Sequence, residues 1–261
     1  MSKLWLPSCG QGYARSSAES ANPELWDGLV GAWVPSLGAT GDKLQDIARS
    51  GNASKVGAGA HWVNTEKGPT LRFVDDDSQY YAHPQPMASE AAVSMVIVLN
   101  ADTATDYAGN WNASPTGLDR QMFMRDAGQV FIQDAANSAN GDASAPNWSY
   151  GVWQTLVAVA DGANLTVWNG GRAGTPDAIA GPYIPTSSQL WVIGGGHSDG
   201  MDGDIAFVAY YNRALTPNEI QQLNVDPLAP FRLKRLVAKP PVAEPPATGA
   251  APRSTLALMG V

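Results

Sequence analysis

Short apolar runs, separated by turn residues, recur along most of the chain and predict β-strands. Runs of this length, alternating or continuously apolar and bounded by Gly, Asn, Asp or Pro, are typical of strands. The segments that fit are residues 29–34, 70–74, 92–100, 121–124, 129–133, 152–160, 164–168, 189–193 and 204–211. Turn clusters are expected at residues 108–110, 140–142 and 161–163. This pattern predicts an all-β fold.

Three of these segments carry more detailed expectations. Both faces of residues 92–100 are largely apolar, so this strand is expected inside a sheet that is covered on both sides. Residues 152–160 and 164–168 flank Asp161-Gly162, a favoured turn dipeptide because glycine tolerates a positive φ. The sequence therefore predicts an antiparallel hairpin between these two strands.

One helix is predicted near the end of the patterned region. Thr216 and Glu219 have the spacing of a capping box, in which each side chain satisfies the backbone amide of the other residue. Pro217 falls at the first helical position, where its missing N–H costs nothing. The helix is expected to end at about Asn224, before the Asp-Pro pair at residues 226–227.

Composition supports this fold class, and charge divides the chain. The 27 Gly and 19 Pro suit many strands joined by tight turns, and a single cysteine excludes an intrachain disulfide. Residues 1–230 carry 11 Lys/Arg against 23 Asp/Glu, whereas residues 231–261 carry five Lys/Arg and one Glu. An acidic body would repel phosphates, so no nucleic-acid partner is expected, while the basic tail suits an acidic protein surface.

Neither an export signal nor a membrane span is expected. Residues 1–10 contain one Lys and no long apolar run, unlike a signal peptide. The most apolar stretch, residues 91–99, is too short to cross a bilayer. We therefore expect synthesis in the cytoplasm and no membrane partner. The expected organisation is an N-terminal arm over 1–24, a β-domain over 25–226 and a basic, then Pro-rich tail over 227–261.

A block near the end of the patterned region has a distinctive order of residues. Ile193-Gly194-Gly195 ends one strand, Gly203-Asp204-Ile205 begins the next, and Tyr211-Asn212-Arg213-Ala214-Leu215 precedes a helix that contains Glu219-Ile220. This order resembles the laminin-G-like branch of the concanavalin A-like lectin/glucanase superfamily, with weaker similarity back to residue 25. The resemblance implies a two-sheet antiparallel jelly-roll sandwich with one short C-terminal helix, and a lectin-like role in binding.

The flanks of the domain carry a second, looser resemblance. Residues 22–30, after a polar lead-in, and residues 230–232, after the helix, are similar to laminin-G-like proteins of tailed phages. This resemblance implies a virion structural protein made in the host cytoplasm, either a capsid decoration or a tail-associated protein. Its partners would be other virion proteins, reached through both terminal segments, with a homo-oligomer left open. The residues expected to contact a partner are Phe231, Arg232, Lys234 and Arg235.

Catalysis is not expected. Retaining glycosidases of this superfamily use two Glu on one strand, where alternation places both on the same face. No two of the six Glu lie within four residues of each other, and none lies in a predicted strand. His61, His83 and His197 lack the spacing of metal ligands. The prediction is a non-enzymatic protein, with a stand-alone carbohydrate-binding module as the alternative and a glycoside hydrolase as a weaker one.

Calcium is the candidate ion. The resemblance implies it, because many relatives bind one Ca²⁺ through loop carboxylates, and Ca²⁺ prefers six to eight oxygen ligands. The candidate ligands are Asp75, Asp77 and Asp202. Ala206 stands where the family often has an Asp after the Gly-x-Ile strand, which removes one acidic position. The alternative is that these are solvated acidic loops.

Tryptophans in polar loops are the candidate carbohydrate-binding residues. Aromatic faces stack on sugar rings, and amide side chains bind hydroxyl groups. The candidates of both kinds are Trp111, Trp148, Asn110 and Asn112. The alternative is that the two aromatics anchor loops. The tryptophans expected in strands and in the core are Trp33, Trp153 and Trp191.

Overall fold

A computed structural model describes twelve stretches of the chain, and the structural statements that follow concern these residues. They are residues 12–40, 43–48, 52–56, 60–74, 80–84, 92–103, 109–111, 121–125, 128–133, 139–179, 190–194 and 201–234. Within them the chain forms two antiparallel β-sheets, each of nine strands. We number the strands in chain order across both sheets.

The inner sheet is built around one long strand, β18 (Gly203–Tyr211), which pairs with three others. Its strands are β1 (Leu29–Trp33), β5 (His61–Thr65), β6 (Gly68–Phe73), β8 (Val93–Ala101), β13 (Gln154–Ala160), β14 (Asn164–Asn169), β15 (Arg172–Ala173), β16 (Asp177–Ala178) and β18 (Gly203–Tyr211). Their order is β15-β14-β13-β8-β18-β6-β5, with β1 paired to β18 and β16 paired to β14.

The outer sheet lies against one face of the inner sheet. Its strands are β2 (Ala39–Thr40), β3 (Lys43–Gln45), β4 (Asn52–Val56), β7 (Tyr80–Pro84), β9 (Gly109–Trp111), β10 (Gln121–Arg125), β11 (Gln129–Gln133), β12 (Ala139–Ser144) and β17 (Leu190–Ile193). Their order is β12-β11-β10-β9-β17-β7-β4-β3-β2. The α-helices are a single turn, α1 (Pro35–Gly38), and α2 (Pro217–Val225). No helix in the described ranges has the length and apolar character needed to cross a membrane.

The predicted two-sheet antiparallel sandwich with a short C-terminal helix is confirmed. Every predicted strand is present, with its ends within two residues of the prediction. The capping box of α2 is also present, since Thr216 and Glu219 each accept a hydrogen bond from the other's backbone amide. In the predicted hairpin, the Asp161 side chain accepts bonds from the amides of Ala163 and Asn164, and Gly162 has a φ of 94°.

Two of the predicted turns are strands, and their glycines explain the error. Gly109 begins β9, where it pairs on both sides, with Met124 and with Ile193. Gly141 lies in β12, and a Cβ there would be 2.5 Å from the Ile179 side chain. Glycine at residue 141 therefore allows a close approach between two segments, a role that the local sequence does not distinguish from a turn.

The inner sheet is buried on both faces, as the pattern of β8 predicts. Val93, Met95, Ile97 and Leu99 point into a core between the two sheets. Val96 and Val98, on the opposite face, belong to a second core. Alternation along one strand thus supplies two cores, and the second of them needs a cover other than the outer sheet.

The second core is covered by α2 and by segments from both ends of the described chain. Ile220 and Leu223 of α2 pack into it, together with Leu25 and Phe231. The two segments are also joined directly, because the amide of Ala14 donates to the carbonyl of Phe231 at 2.9 Å. We call residues 12–26 and 228–234 the terminal clasp.

The terminal clasp corrects the expectation for the tail. Phe231, expected as an anchor on another chain, is only 3% exposed and packs in its own domain. Arg232 forms a salt bridge with Asp226 of the same chain at 2.8 Å. The amide of Lys234 donates to the carbonyl of Glu19, and its side chain is exposed. Residues 1–11 and the rest of the predicted tail, including Arg235, lie outside the described residues.

Candidate functional site

A polar groove of about 490 Å³ opens beside the segment that joins β12 to β13. This volume lies within the range of small-molecule sites, roughly 300–1,000 Å³. Four parts of the fold supply its walls: the β5–β6 turn, the β12–β13 segment, the β14–β15 turn and the C-terminal end of α2. Its principal side chains are those of Lys67, Asn147, Ser149, Trp153, Arg172 and Asn224. We call it the Trp153 groove.

Two buried amide side chains form the floor of the Trp153 groove. Asn169 donates from Nδ2 to Oε1 of Gln154 at 2.7 Å and to the carbonyl of Pro146 at 2.9 Å. Gln154 in turn donates from Nε2 to the carbonyl of Ser149 at 2.6 Å. Buried polar groups that are mutually satisfied in this way rigidify their surroundings. The backbone of the β12–β13 segment is therefore held in place by the floor of the groove.

Trp153 is the aromatic side chain of the groove. The sequence pattern assigns it to a strand and the core, but β13 begins one residue later, at Gln154. Trp153 is half-buried: it packs against the second core and also lines the groove. Gly151, two residues before Trp153, has a φ of 70° and ends the preceding turn. This glycine is the sequence signal that Trp153 lies next to a turn.

Trp148, a predicted carbohydrate-binding residue, packs inward. Gly128 has a φ of 70°, and a Cβ there would lie 2.5 Å from the indole ring of Trp148. The indole is half-buried against the core between the sheets, and its Nε1 has no hydrogen-bond partner among the described residues. Tyr150 meets it edge-on, with ring centroids 5.8 Å apart, and is itself 40% exposed. The geometry favours the loop-anchoring alternative for Trp148.

The other predicted carbohydrate-binding residues lie in or near β9. Asn110 and Trp111 pair through their backbones with β10 on one side and β17 on the other. Their side chains, and the whole of Asn112, lie outside the described residues. Their role in binding therefore stays a prediction.

An acidic cluster surrounds Arg72 at the end of the inner sheet. Arg72 of β6 lies opposite Asp204 of β18, with Nη1 of Arg72 3.2 Å from Oδ2 of Asp204. The guanidinium also contacts Asp102 and lies 3.4 Å from Asp202. Its hydrogen bond to Asp102 is the main cause that raises the pKa of Arg72. Burial raises the pKa of Asp204, although Arg72 opposes the change.

This cluster bears on the calcium prediction. Asp202 lies in it, whereas Asp75 and Asp77 fall outside the described residues. In the part of the chain that the structure describes, no group of three or more His, Cys, Asp or Glu has an arrangement able to hold a metal ion. The Arg72 guanidinium supplies a positive charge where the carboxylates converge. With two of its three candidate ligands outside the described residues, the calcium site stays a prediction.

A sequence model of the concanavalin A-like lectin/glucanases superfamily, of laminin-G type, matches residues 75–221. Curated protein sequences give no match. Among solved structures, domain 4 of AbnA, a GH43 extracellular arabinanase from Geobacillus stearothermophilus in complex with arabinotriose, is similar with a TM-score of 0.60 and 14% identity. This match covers 75% of the present chain and 98% of that domain.

Two further solved structures are similar over one part of their own chains. The binding domain of Paraclostridial Mosquitocidal Protein 1 has a TM-score of 0.57 and 14% identity, covering 77% of the present chain and 52% of that one. Trypanosoma rangeli sialidase in complex with the inhibitor DANA has a TM-score of 0.54 and 19% identity, covering 75% and 32%. The present chain thus spans about a third of the sialidase. At these identities, the likeness is one of fold.

Proposed function

The chain belongs to the concanavalin A-like lectin/glucanases superfamily, and on that premise we propose that it is a non-enzymatic, carbohydrate-binding β-sandwich. The observation that carries this proposal is the Trp153 groove. A half-buried indole stands there beside amide and hydroxyl side chains, above a floor fixed by Gln154 and Asn169. An aromatic face for a sugar ring and fixed polar groups for its hydroxyls are the two features that glycan binding needs.

The solved neighbours support the same class of ligand. Domain 4 of the Geobacillus arabinanase is in complex with arabinotriose, and its fold is similar over nearly its whole length. Another similar chain is a botulinum neurotoxin type C structure whose cell entry depends on two ganglioside molecules, with a TM-score of 0.56. Binding of glycans by related sandwiches favours glycan binding here.

The absence of catalysis is part of the proposal. Most glycoside hydrolases use two carboxyl groups on either side of the scissile bond, roughly 5–9.5 Å apart. No Asp or Glu is among the described residues that line the Trp153 groove. The described lining of the groove therefore offers surfaces for binding but no pair of carboxyl groups for acid–base or nucleophilic roles.

The proposal is tested by measuring glycan binding to variants that change the groove. Glycans bound by the parent on an array would be titrated by calorimetry against Trp153→Ala, for which we expect a loss of about tenfold in affinity. Because Trp153 also packs on the second core, Asn224→Ala provides a milder change at the rim. Asn218→Ala, exposed on the same helix but outside the groove, is its matched control. Unchanged affinity in both groove variants would contradict the proposal.

We also propose that the module is displayed on a phage virion, as a capsid decoration or a tail-associated protein. The support is the charge division, since a basic segment after residue 230 follows an acidic body and suits an acidic neighbouring surface. Attachment is assigned to residues 1–11 and 235–261, because the terminal clasp is occupied within its own domain. Mass spectrometry of purified particles provides the test. Finding the chain only among unassembled proteins would contradict this role.

A further inference from the structure

We infer that the Trp153 groove selects a glycan that carries a negative charge, either a carboxylate or a sulfate group; this inference rests on the proposed function. Residues 1–230 carry twice as many acidic as basic residues, 23 against 11. The described lining of the groove nevertheless holds two cationic side chains, Lys67 and Arg172, and no carboxylate. A positively charged recess in an acidic body concentrates anionic ligands.

Arg172 stands on a rigid turn. It pairs with Asn169 across the β14–β15 turn, in which Gly170 and Gly171 have φ values of 57° and 76°. The side chain of Gln221 in α2 donates to the carbonyl of Gly171. A Cβ at residue 171 would lie 2.4 Å from Oε1 of Gln221. Glycine at residue 171 therefore allows α2 to hold this turn in place, together with the backbone of Arg172.

The guanidinium of Arg172 is available to a ligand. The residue is exposed and forms no salt bridge with any other residue that the structure describes. By contrast, the described side chains of Arg72, Arg213 and Arg232 are each paired with a carboxylate. A guanidinium matches the planar geometry of a carboxylate and also binds sulfate oxygens well.

Lys67 approaches the groove from another wall, and its backbone is also held. Its amide donates to the hydroxyl of Thr65 at 3.1 Å, and the same hydroxyl donates to the carbonyl of Gly68 at 3.2 Å. Lys67 and Arg172 both line the groove, and the two amide side chains of its floor, Gln154 and Asn169, are neutral.

The experiment compares sugars that differ mainly in charge. The probes are lactose, 3′-sialyllactose, 3′-sulfolactose, trigalacturonic acid and the methyl ester of trigalacturonic acid, each titrated by calorimetry. We expect at least one charged probe to bind about tenfold or more tightly than its neutral counterpart. Its affinity should fall as salt is raised, because exposed charges are screened over about 8 Å at 0.15 M. The sialyl, uronate and sulfate arms distinguish which acidic group is recognised.

Variants then connect the selectivity to the groove. Arg172→Gln should lower the affinity for the charged probe about tenfold and leave that for its neutral counterpart unchanged, and Lys67→Gln should act in the same direction. Arg15→Gln makes the same charge change on an exposed residue outside the groove and should have no effect. Circular dichroism and melting temperature confirm that each variant is folded.

The failures of the two proposals can be told apart. Equal affinities for charged and neutral probes, both lost in Trp153→Ala, would overturn the charge inference and leave the glycan-binding function standing. Binding of a charged probe that is unchanged in both Arg172→Gln and Trp153→Ala would locate the ligand elsewhere and overturn both. A lack of binding to these probes and to a broad array of neutral and acidic glycans would also overturn both.

Discussion

Trp26 and Phe231 meet edge to face, with their ring centroids 5.5 Å apart, although they come from opposite ends of the described chain. The indole Nε1 of Trp26 also donates to the carbonyl of Pro230 at 2.6 Å. An edge-to-face pair of buried aromatics contributes about 0.5–1.5 kcal/mol beyond its burial. The terminal clasp is therefore part of the domain's packing, and its two halves depend on each other.

We predict that Phe231→Ala lowers the free energy of unfolding by about 3–5 kcal/mol, the usual cost of removing a buried Phe side chain. Urea denaturation followed by tryptophan fluorescence measures this change. The matched control is Leu233→Ala, two residues further on, where the side chain is 43% exposed and the change should stay within about 0.5 kcal/mol. Equal effects of the two substitutions would contradict the packing of Phe231.

We predict that two truncations differ sharply in stability. A chain ending at residue 234 retains the terminal clasp, whereas a chain ending at residue 230 loses Phe231 and the hydrogen bond between Lys234 and Glu19. The shorter chain should be less stable than the longer one by at least about 3 kcal/mol. Thermal unfolding of the two purified chains checks this. Melting temperatures that coincide would show that residues 231–234 contribute nothing to the fold.

The sequence predicts the fold well because strand periodicity and capping are local signals. The apolar alternation of β8, the Asp161-Gly162 turn and the capping box at Thr216 each act over a few residues, and all three are present. Each depends on the chemistry of neighbouring side chains and on backbone geometry alone. Such features can be read without knowing what the segment packs against.

The site and the tail depend on partners that are distant in the sequence. Pro230 and the basic residues after it indicate a tail, yet the partner that buries Phe231 is Trp26. The sequence pattern predicts that Trp153 belongs to a strand, but the groove on its exposed side is lined by turns from elsewhere in the chain, including Lys67 and Arg172. Contacts between remote segments therefore determine both the burial of Phe231 and the lining of the Trp153 groove. Composition does not encode such contacts.

We predict that Glu219→Gln destabilises the protein more at pH 7 than in acid. Glu219 accepts hydrogen bonds from Arg213 at 2.6 and 2.9 Å, and Arg213 also donates to the carbonyl of Asp27. Burial alone would raise the pKa of Glu219, but the hydrogen bonds from Arg213 and Thr216 outweigh it and lower the pKa below its ordinary value of 4.5. The ionised carboxylate therefore stabilises the folded protein.

A lowered pKa fixes the direction of the pH effect. The contribution of Glu219 is present above pH 4.5, its ordinary pKa, and is lost as the pH falls through its lower value in the folded protein. The free energy of unfolding of the parent should exceed that of Glu219→Gln by about 1.5–3 kcal/mol at pH 7, the value of a hydrogen bond to a charged group. This difference should narrow as the pH is lowered. Urea denaturation across this range measures it; a gap independent of pH would contradict the prediction.

Finally, we predict that Arg72→Gln is strongly destabilising and that the loss depends on Asp204. Asp204 is only 7% exposed, so removal of Arg72 takes away its main counter-charge and leaves a buried carboxylate, a loss that typically costs about 3–5 kcal/mol at neutral pH. Burial holds the pKa of Asp204 above its ordinary value of 3.8, and loss of Arg72 should raise it further. A raised pKa favours the protonated form, so the penalty should be smallest below pH 3.8 and grow as the pH rises through the folded-state pKa.

Adding Asp204→Asn should recover a large part of the stability at pH 7 and flatten its pH dependence, as urea denaturation of both single variants and the double variant would show. A double variant that is no more stable than Arg72→Gln would assign the loss to Asp102 and Asp202 instead.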